Sequence, residues 1–358
     1  MGKVHNFSAG PCILPDEVFK KSADSVLNFN GNDLSILEIS HRSKDFVEVM
    51  AKATSLVKEL LDVPEGYSVL FLQGGASLQF LMVAMNLLRE NGTAAYVNTG
   101  TWASKAIKEA KIIGEVDVLA SSEDENFSYI PKEFEIPAAA DYLHITSNNT
   151  IFGTQYSSFP DCSVPLVCDM SSDIFSRKVN VADFSLIYAG AQKNMGPAGA
   201  TLVIVKDELL GKTGRQIPSM LDYTTHIKKE SMFNTPPVFP VYVSMLTLEW
   251  LKANGGIPAI EVKNMEKAAL LYNEVDTNPL FTGTAHMEDR STMNPTFILK
   301  DDSLTEAFME MVAEKRINGL KGHRSVGGFR ASMYNALPIE SVQVLVDVMR
   351  SFSAKYRG

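Results

Sequence analysis

From residue 67 onward, short apolar runs alternate with stretches in which apolar residues recur every three or four positions. The runs at 69–72, 94–97, 115–119, 142–145, 165–169, 186–188 and 201–205 predict strands, because brief apolar runs bounded by turn residues suit buried strands. Helical spacing fills 78–89 and 104–111. Apolar strands joined by helices predict a mostly parallel sheet, here of seven strands, covered on both faces. Beyond 233–237 a helical pattern covers 242–253, and Asn254-Gly255-Gly256-Ile257-Pro258 stops it, since glycine followed by proline ends helices. A helix at 259–275, strand at 296–299, helix at 305–314, strand at 328–333 and helix at 339–356 then predict a smaller α/β layer. The first dozen residues are expected to return and pack on it. The expected division is a large domain at 16–257 and a small one made of 1–15 with 258–358. No internal repeat or low-complexity tract interrupts this plan.

Composition narrows the function classes. The 358 residues are 45% hydrophobic with a formal net charge of −9, which fits two sizeable cores and argues against a nucleic-acid surface. An anion site must therefore be a local cluster of basic groups and backbone amides. Cys12, Cys162 and Cys168 are too few for a disulfide framework and match no zinc spacing, so reduced thiols, no metal and a cytoplasmic location are expected. No apolar run is long enough to span a bilayer. The N-terminal hexapeptide places Asn6 where myristoylation wants Ser or Thr.

Candidate chemistry concentrates at strand ends. Leu186-Ile187-Tyr188-Ala189-Gly190-Ala191-Gln192-Lys193-Asn194 puts a lysine in a small-residue loop after one apolar strand, and Val167-Cys168-Asp169 ends the preceding strand on an acid. A lysine in a turn is by itself a surface residue. Paired with that acid, it matches a pyridoxal phosphate enzyme, in which the lysine carries the cofactor as an imine and the acid keeps the pyridine nitrogen protonated. Gln73-Gly74-Gly75-Ala76-Ser77 joins a strand to a helix, as a phosphate loop or an ordinary tight turn does. Gly211-Lys212-Thr213 lacks the first glycine of a P-loop. Gly100-Thr101-Trp102 places one of two tryptophans in a strand-end loop, where it can stack on a flat ring or pack in the core. Ser40-His41-Arg42 and Gly322-His323-Arg324 pair histidine with arginine among small residues. Arg330 lies in an apolar strand beside Gly327-Gly328 and is the least suited to a solvated surface.

Together these stretches, with Asn6-Phe7-Ser8-Ala9-Gly10-Pro11, Phe233-Asn234-Thr235-Pro236-Pro237 and the run from Lys321 to Ser332, resemble the phosphoserine aminotransferase family of fold type I pyridoxal phosphate enzymes over essentially the full length. The resemblance implies that Lys193 and Asp169 are catalytic, that Trp102 stacks on the cofactor ring and that Thr150 lies near its phenolic oxygen. It implies phosphate contacts from Ala76, Ser77 and Gln192, and from Asn234 and Thr235 of a neighbouring subunit, hence a homodimer with shared sites. Arg330 would clamp the substrate α-carboxylate, and His41, Arg42, His323 and Arg324 would receive the distal anion. The implied reaction moves an amino group from glutamate to 3-phosphohydroxypyruvate in serine biosynthesis. Some members also use 4-phosphohydroxythreonine in pyridoxine biosynthesis. Many members carry an arginine in the glycine loop, and here the loop reads Ala76-Ser77-Leu78.

Three rivals share the fold. A cysteine desulfurase needs a nucleophilic cysteine in its C-terminal half, and none follows Cys168. An alanine–glyoxylate type class V transaminase has no use for four extra basic groups at the distal end. A non-catalytic pyridoxal phosphate-sensing regulator would carry an added DNA-binding domain and a basic face, against the acidic charge of this chain.

Overall fold

The computed structural model describes residues 4–324 and 326–356; residues 1–3 of the N-terminal hexapeptide and Ser325 of the last motif lie outside the described residues. The chain opens with the short strand β1 (His5–Asn6), followed by helices α1 (Asp16–Leu27) and α2 (Lys44–Leu60). Ser43 caps α2 by accepting the Phe46 N–H, and Phe46, Val49, Met50, Ala53, Leu56 and Val57 form its buried stripe, the spacing of one helix face.

Then come β2 (Tyr67–Leu72), α3 (Gly75–Leu87), β3 (Thr93–Asn98), α4 (Thr101–Ile113), β4 (Glu115–Ser121), β5 (Tyr142–Thr146), the hairpin β6 (Asn148–Asn149) and β7 (Thr154–Gln155), β8 (Leu166–Asp169), β9 (Leu186–Gly190), β10 (Thr201–Lys206) and the short helix α5 (Tyr223–Ile227). Seven of these strands form one sheet in the order β2-β10-β9-β8-β5-β3-β4. Strand β10 runs antiparallel to β2 and β9, and the other pairings are parallel. Side chains alternate between faces along a strand, so Val69 and Phe71 join the core under α2 and α6 (Val238–Ala253), whereas Leu70 and Leu72 join the core under α3 and α4. The sheet is thus covered on both sides. Edge strand β4 departs from the expectation of an apolar strand: its positions are exposed or half-buried and none is buried, whereas the other edge strand, β2, is buried at five of its six positions.

Helix α6 is followed after a single Asn254-Gly255 break by α7 (Gly256–Thr277), which starts three residues earlier than the proline at 258 suggests; proline is tolerated in the first turn of a helix. A second apolar cluster gathers Phe7 and Ile13 with α7, β11 (Phe281–Gly283), β12 (Thr296–Leu299), α8 (Thr305–Glu314) and α9 (Ile339–Tyr356). Strand β1 pairs parallel with β13 (Ile317–Asn318), which ties the N-terminus to this layer. The expected strand at 328–333 shrinks to β14 (Phe329–Arg330). Gly327 and Gly328 before it have φ of 77° and 58°, and after it the chain leaves regular pairing, although the Ala331 and Met333 amides still donate to Pro295 and Met293 carbonyls. No helix among the described residues is long and apolar enough to cross a membrane.

Candidate active site

In a parallel sheet, loops beyond the carboxyl ends of the strands share one edge, and ligand groups collect there. At that edge β5 leads into Ser147 to Thr150, β8 ends on Asp169, and the turn after β9 carries Lys193. These loops, the N-terminus of α3, the first turn of α4, Ala9-Gly10, His323 and Arg330 enclose a cavity of about 530 Å³. The second layer therefore contributes Ala9, Gly10, His323 and Arg330 to walls otherwise made by the large sheet.

Lys193 is 9% exposed, and its Nζ donates to Thr150 Oγ1 at 2.8 Å. Burial lowers its ammonium to a pKa of about 8, against the opposing pull of Asp169 and with some help from Arg330. Burial likewise pushes the Asp169 carboxyl up, while hydrogen bonds from Ser171, one of them from its backbone N–H at 2.9 Å, hold it down. Ser147 Oγ donates to the Asp169 carbonyl at 3.0 Å and also to Asp173. Asp173, 4% exposed, takes further bonds from Gln155 Nε2 and Arg177 Nη2, both at 3.1 Å. A second buried carboxylate thus braces the strand end that presents the first.

The cavity fits pyridoxal phosphate on its own features. The Trp102 ring centroid lies 6.0 Å from Lys193 Nζ, so an aromatic face adjoins the amine. Gly74 and Gly75 have φ of 86° and 65°, a left-handed bend that opens α3 directly onto the cavity, with Ala76 and Ser77 in its first turn. First-turn N–H groups have no intrahelical acceptor and favour a phosphate. An added Cβ at Gly74 would come 2.5 Å from Leu78 Cδ2, so the bend needs glycine. Two groups of wall residues, Trp102 Nε1 and Arg330 Nε, are buried without a partner, as donors awaiting a ligand would be.

The cavity brings together Ala76, Ser77, Trp102, Thr150, Asp169, Gln192, Lys193, His323 and Arg330. Trp102 sits in the first turn of α4 and not in the strand-end loop expected from the sequence; the helix starts directly after Gly100, whose φ of 154° makes the turn. Arg330 Nη1 reaches the Thr150 carbonyl at 3.5 Å. Asn234, Thr235, His41, Arg42 and Arg324 do not line it. Asn234 lines a separate small cleft beside Gln73, whose Nε2 donates to the Thr235 carbonyl at 2.7 Å. His41 and Arg42 precede α2, with His41 Nε2 buried and unpartnered and Arg42 exposed. His323 is half-buried and Arg324 exposed.

Sequence reasoning missed part of the wall. Thr146, Asn148, Ser171 and Ser172 line the cavity; Ser171 stands two residues after Asp169 and could have been read as its hydrogen-bonding neighbour. Asn148 gives no local signal. Its side chain bonds Ser172 Oγ at 2.7 Å, Asn294 Oδ1 at 2.8 Å and Ser291 Oγ at 2.5 Å, and Asn294 passes the chain on to Ser332 and Tyr334.

Comparison with known proteins agrees with this geometry. The family model for class-V aminotransferases matches residues 4–345. The phosphoserine aminotransferase of Flavobacterium psychrophilum is 66% identical over 354 residues, 99% of each chain, and that of Porphyromonas gingivalis is 59% identical over 99% of this chain and 100% of its own. Among solved structures, phosphoserine aminotransferase from Bacillus circulans subsp. alkalophilus superposes with a TM-score of 0.96 at 46% identity, covering 99% of each chain. The PLP-bound enzyme from Trichomonas vaginalis superposes with a TM-score of 0.92 at 36% identity, over 97% of this chain and 100% of its own.

Proposed function

This chain belongs to the class-V aminotransferases and within them to the phosphoserine aminotransferases, and we propose from that membership a residue-by-residue account of its reaction. The protein transfers the amino group of L-glutamate to 3-phosphohydroxypyruvate, giving O-phospho-L-serine and 2-oxoglutarate, a step of serine biosynthesis, with pyridoxal 5′-phosphate as cofactor. The observation that carries the account is a buried Lys193 amine, lowered to a pKa of about 8, sharing one cavity with the buried carboxylate of Asp169.

When bound, the cofactor supplies an electron sink for negative charge developing at the substrate Cα. Lys193 Nζ would hold the cofactor covalently, and the freed amine would then carry the proton from the substrate Cα to the cofactor C4′. Thr150 Oγ1, already bonded to Nζ, orients it. Asp169 keeps a proton on the cofactor's ring nitrogen, and Ser171 keeps Asp169 aimed. Trp102 covers the ring, and Ala76, Ser77 and Gln192 hold the phosphate from this chain. Arg330 grips the α-carboxylate with a planar fork.

The same account makes the enzyme a homodimer. Asn234 and Thr235 serve the phosphate of a neighbouring subunit's cofactor, and His41 and Arg42 join His323 and Arg324 around the distal anion. This is supported by the position of Asn234, Thr235, His41 and Arg42 outside the cavity of their own chain and by exposed apolar side chains near Asn234, Phe233 at 39% and Met220 at 43%. We further infer a cytoplasmic protein, in keeping with three free thiols, with residues 16–257 and 1–15 plus 258–358 as its two domains.

Coupled assays of the purified enzyme with glutamate and each oxo acid test the account. Turnover should favour 3-phosphohydroxypyruvate strongly over unphosphorylated hydroxypyruvate, and equal rates would overturn the distal-anion assignment. Lys193→Ala should lose visible cofactor absorbance and turnover together; an active variant would refute its role.

A further inference from the structure

The mouth of the cavity concentrates positive charge in a chain whose net charge is −9. Arg330 and His323 line the cavity, and Arg324 follows His323 in the chain. The glycine loop adds no charge, since it reads Ala76-Ser77-Leu78. Helix α4, however, begins at Thr101 and carries Trp102, another residue of the cavity wall, in its first turn. Residues three apart on a helix share a face, which brings Lys105 beside Trp102, with its Nζ 4.6 Å from the ring centroid. The lysine is exposed and has no carboxylate partner among the described residues. Lys105 does not itself line the cavity, yet its charge is felt at His323, which does: burial lowers that imidazole, and Arg330, Arg324 and Lys105 each push it lower still.

We propose that Lys105 is a specificity-determining residue that receives the distal phosphate of the substrate, supplying from α4 the positive charge that the glycine loop lacks. The inference rests on the phosphoserine aminotransferase reading of the site. A lysine suits the position because two substrates of different length must be served. Its ammonium is a point charge on a flexible stem, whereas an arginine fork is matched to one planar geometry. The Trp102 ring steadies the stem by a cation–π contact without neutralising the charge, so the ammonium stays available to an incoming anion. The γ-carboxylate of glutamate meets the same ammonium with one negative charge where the phosphate ester brings nearly two, so the phosphorylated substrate gains more from it.

The test compares Lys105→Met, Lys105→Arg and the parent holoenzyme, using 3-phosphohydroxypyruvate and unphosphorylated hydroxypyruvate as oxo acids and inorganic phosphate as a competing anion. Lys105→Met should reduce the ratio of kcat/KM for the phosphorylated over the unphosphorylated acid roughly tenfold, chiefly through KM, as expected for loss of one charge-assisted contact. Inhibition by inorganic phosphate should weaken in parallel, and Lys105→Arg should recover most of both effects. An unchanged ratio and unchanged phosphate inhibition in Lys105→Met would overturn the proposal. Loss of visible cofactor absorbance in that variant would also overturn it, by showing that the lysine supports Trp102 or the cofactor instead. A parent enzyme that fails to prefer the phosphorylated acid would refute the functional reading itself, a result distinguishable from either of these.

Discussion

Removing the charge of Asp169 should make Lys193 a better nucleophile in the cofactor-free protein. At an ordinary pKa of 10.5, about one lysine in three thousand is neutral at pH 7, whereas at about 8 the fraction is about one in eleven. The surroundings of the amine, burial foremost, therefore raise the reactive fraction by a net factor of about 300. Asp169 opposes burial: its charge is the largest influence holding the ammonium on. In Asp169→Asn the shape of the side chain is kept and that influence is lost, so the Lys193 inflection should move below 8. Trace labelling of the apoprotein with acetic anhydride between pH 6 and 10, with peptide mapping of each lysine, reads the neutral fraction directly. The rate at Lys193 should level off above its inflection near 8 in the parent and at lower pH in Asp169→Asn. Lys267 is an internal control, because its burial also lowers it, to about 7, yet it is 1% exposed and bonded to the carbonyls of Met333 and Tyr334, both at 2.9 Å; it should remain unlabelled. A Lys193 rate still climbing at pH 10, or an inflection that rises on loss of the carboxylate, would refute the electrostatic reasoning.

Lys267 also sets a pH dependence of stability. Its folded pKa of about 7 lies below the usual 10.5, so the unfolded chain binds the extra proton between those values and stability rises with pH across that window, by up to about 1.4 kcal/mol per pH unit. Lys267→Met should abolish this slope, and denaturation midpoints that run parallel in the two proteins from pH 7 to 10 would contradict the assignment. Asp173→Asn turns an amide donor toward Gln155 and Arg177 and leaves Arg177 without its ion pair, so it should destabilise the protein by about 3 kcal/mol, measurable as a drop in the urea midpoint; a change within error would mean the brace under Asp169 is dispensable.

Much of the fold was legible because strand and helix periods differ. The runs ending at Leu72, Asp169 and Val205 predicted members of the large sheet, and the loop carrying Lys193 could be placed at a strand end. Other features lack a local signature. The stripe of Phe46, Val49, Met50, Ala53, Leu56 and Val57 was readable as α2 yet lies before the alternation that organised the reading. Strand β14 starts after two left-handed glycines, and residue type alone does not report a φ. The links from Asn148 to Asn294 and onward to Ser332 and Tyr334 join residues far apart in the chain, which no window of sequence brings together. Lys105 resembled any solvated helix lysine until the start of α4 placed it beside Trp102.

The covalent role of Lys193 is open to one direct measurement. The holoenzyme, reduced with borohydride, digested and analysed by mass spectrometry, should carry the phosphopyridoxyl mass on the peptide containing Lys193 and on no other. The same mass on Lys105, on Lys267 or on any other lysine, with Lys193 unmodified, would contradict it.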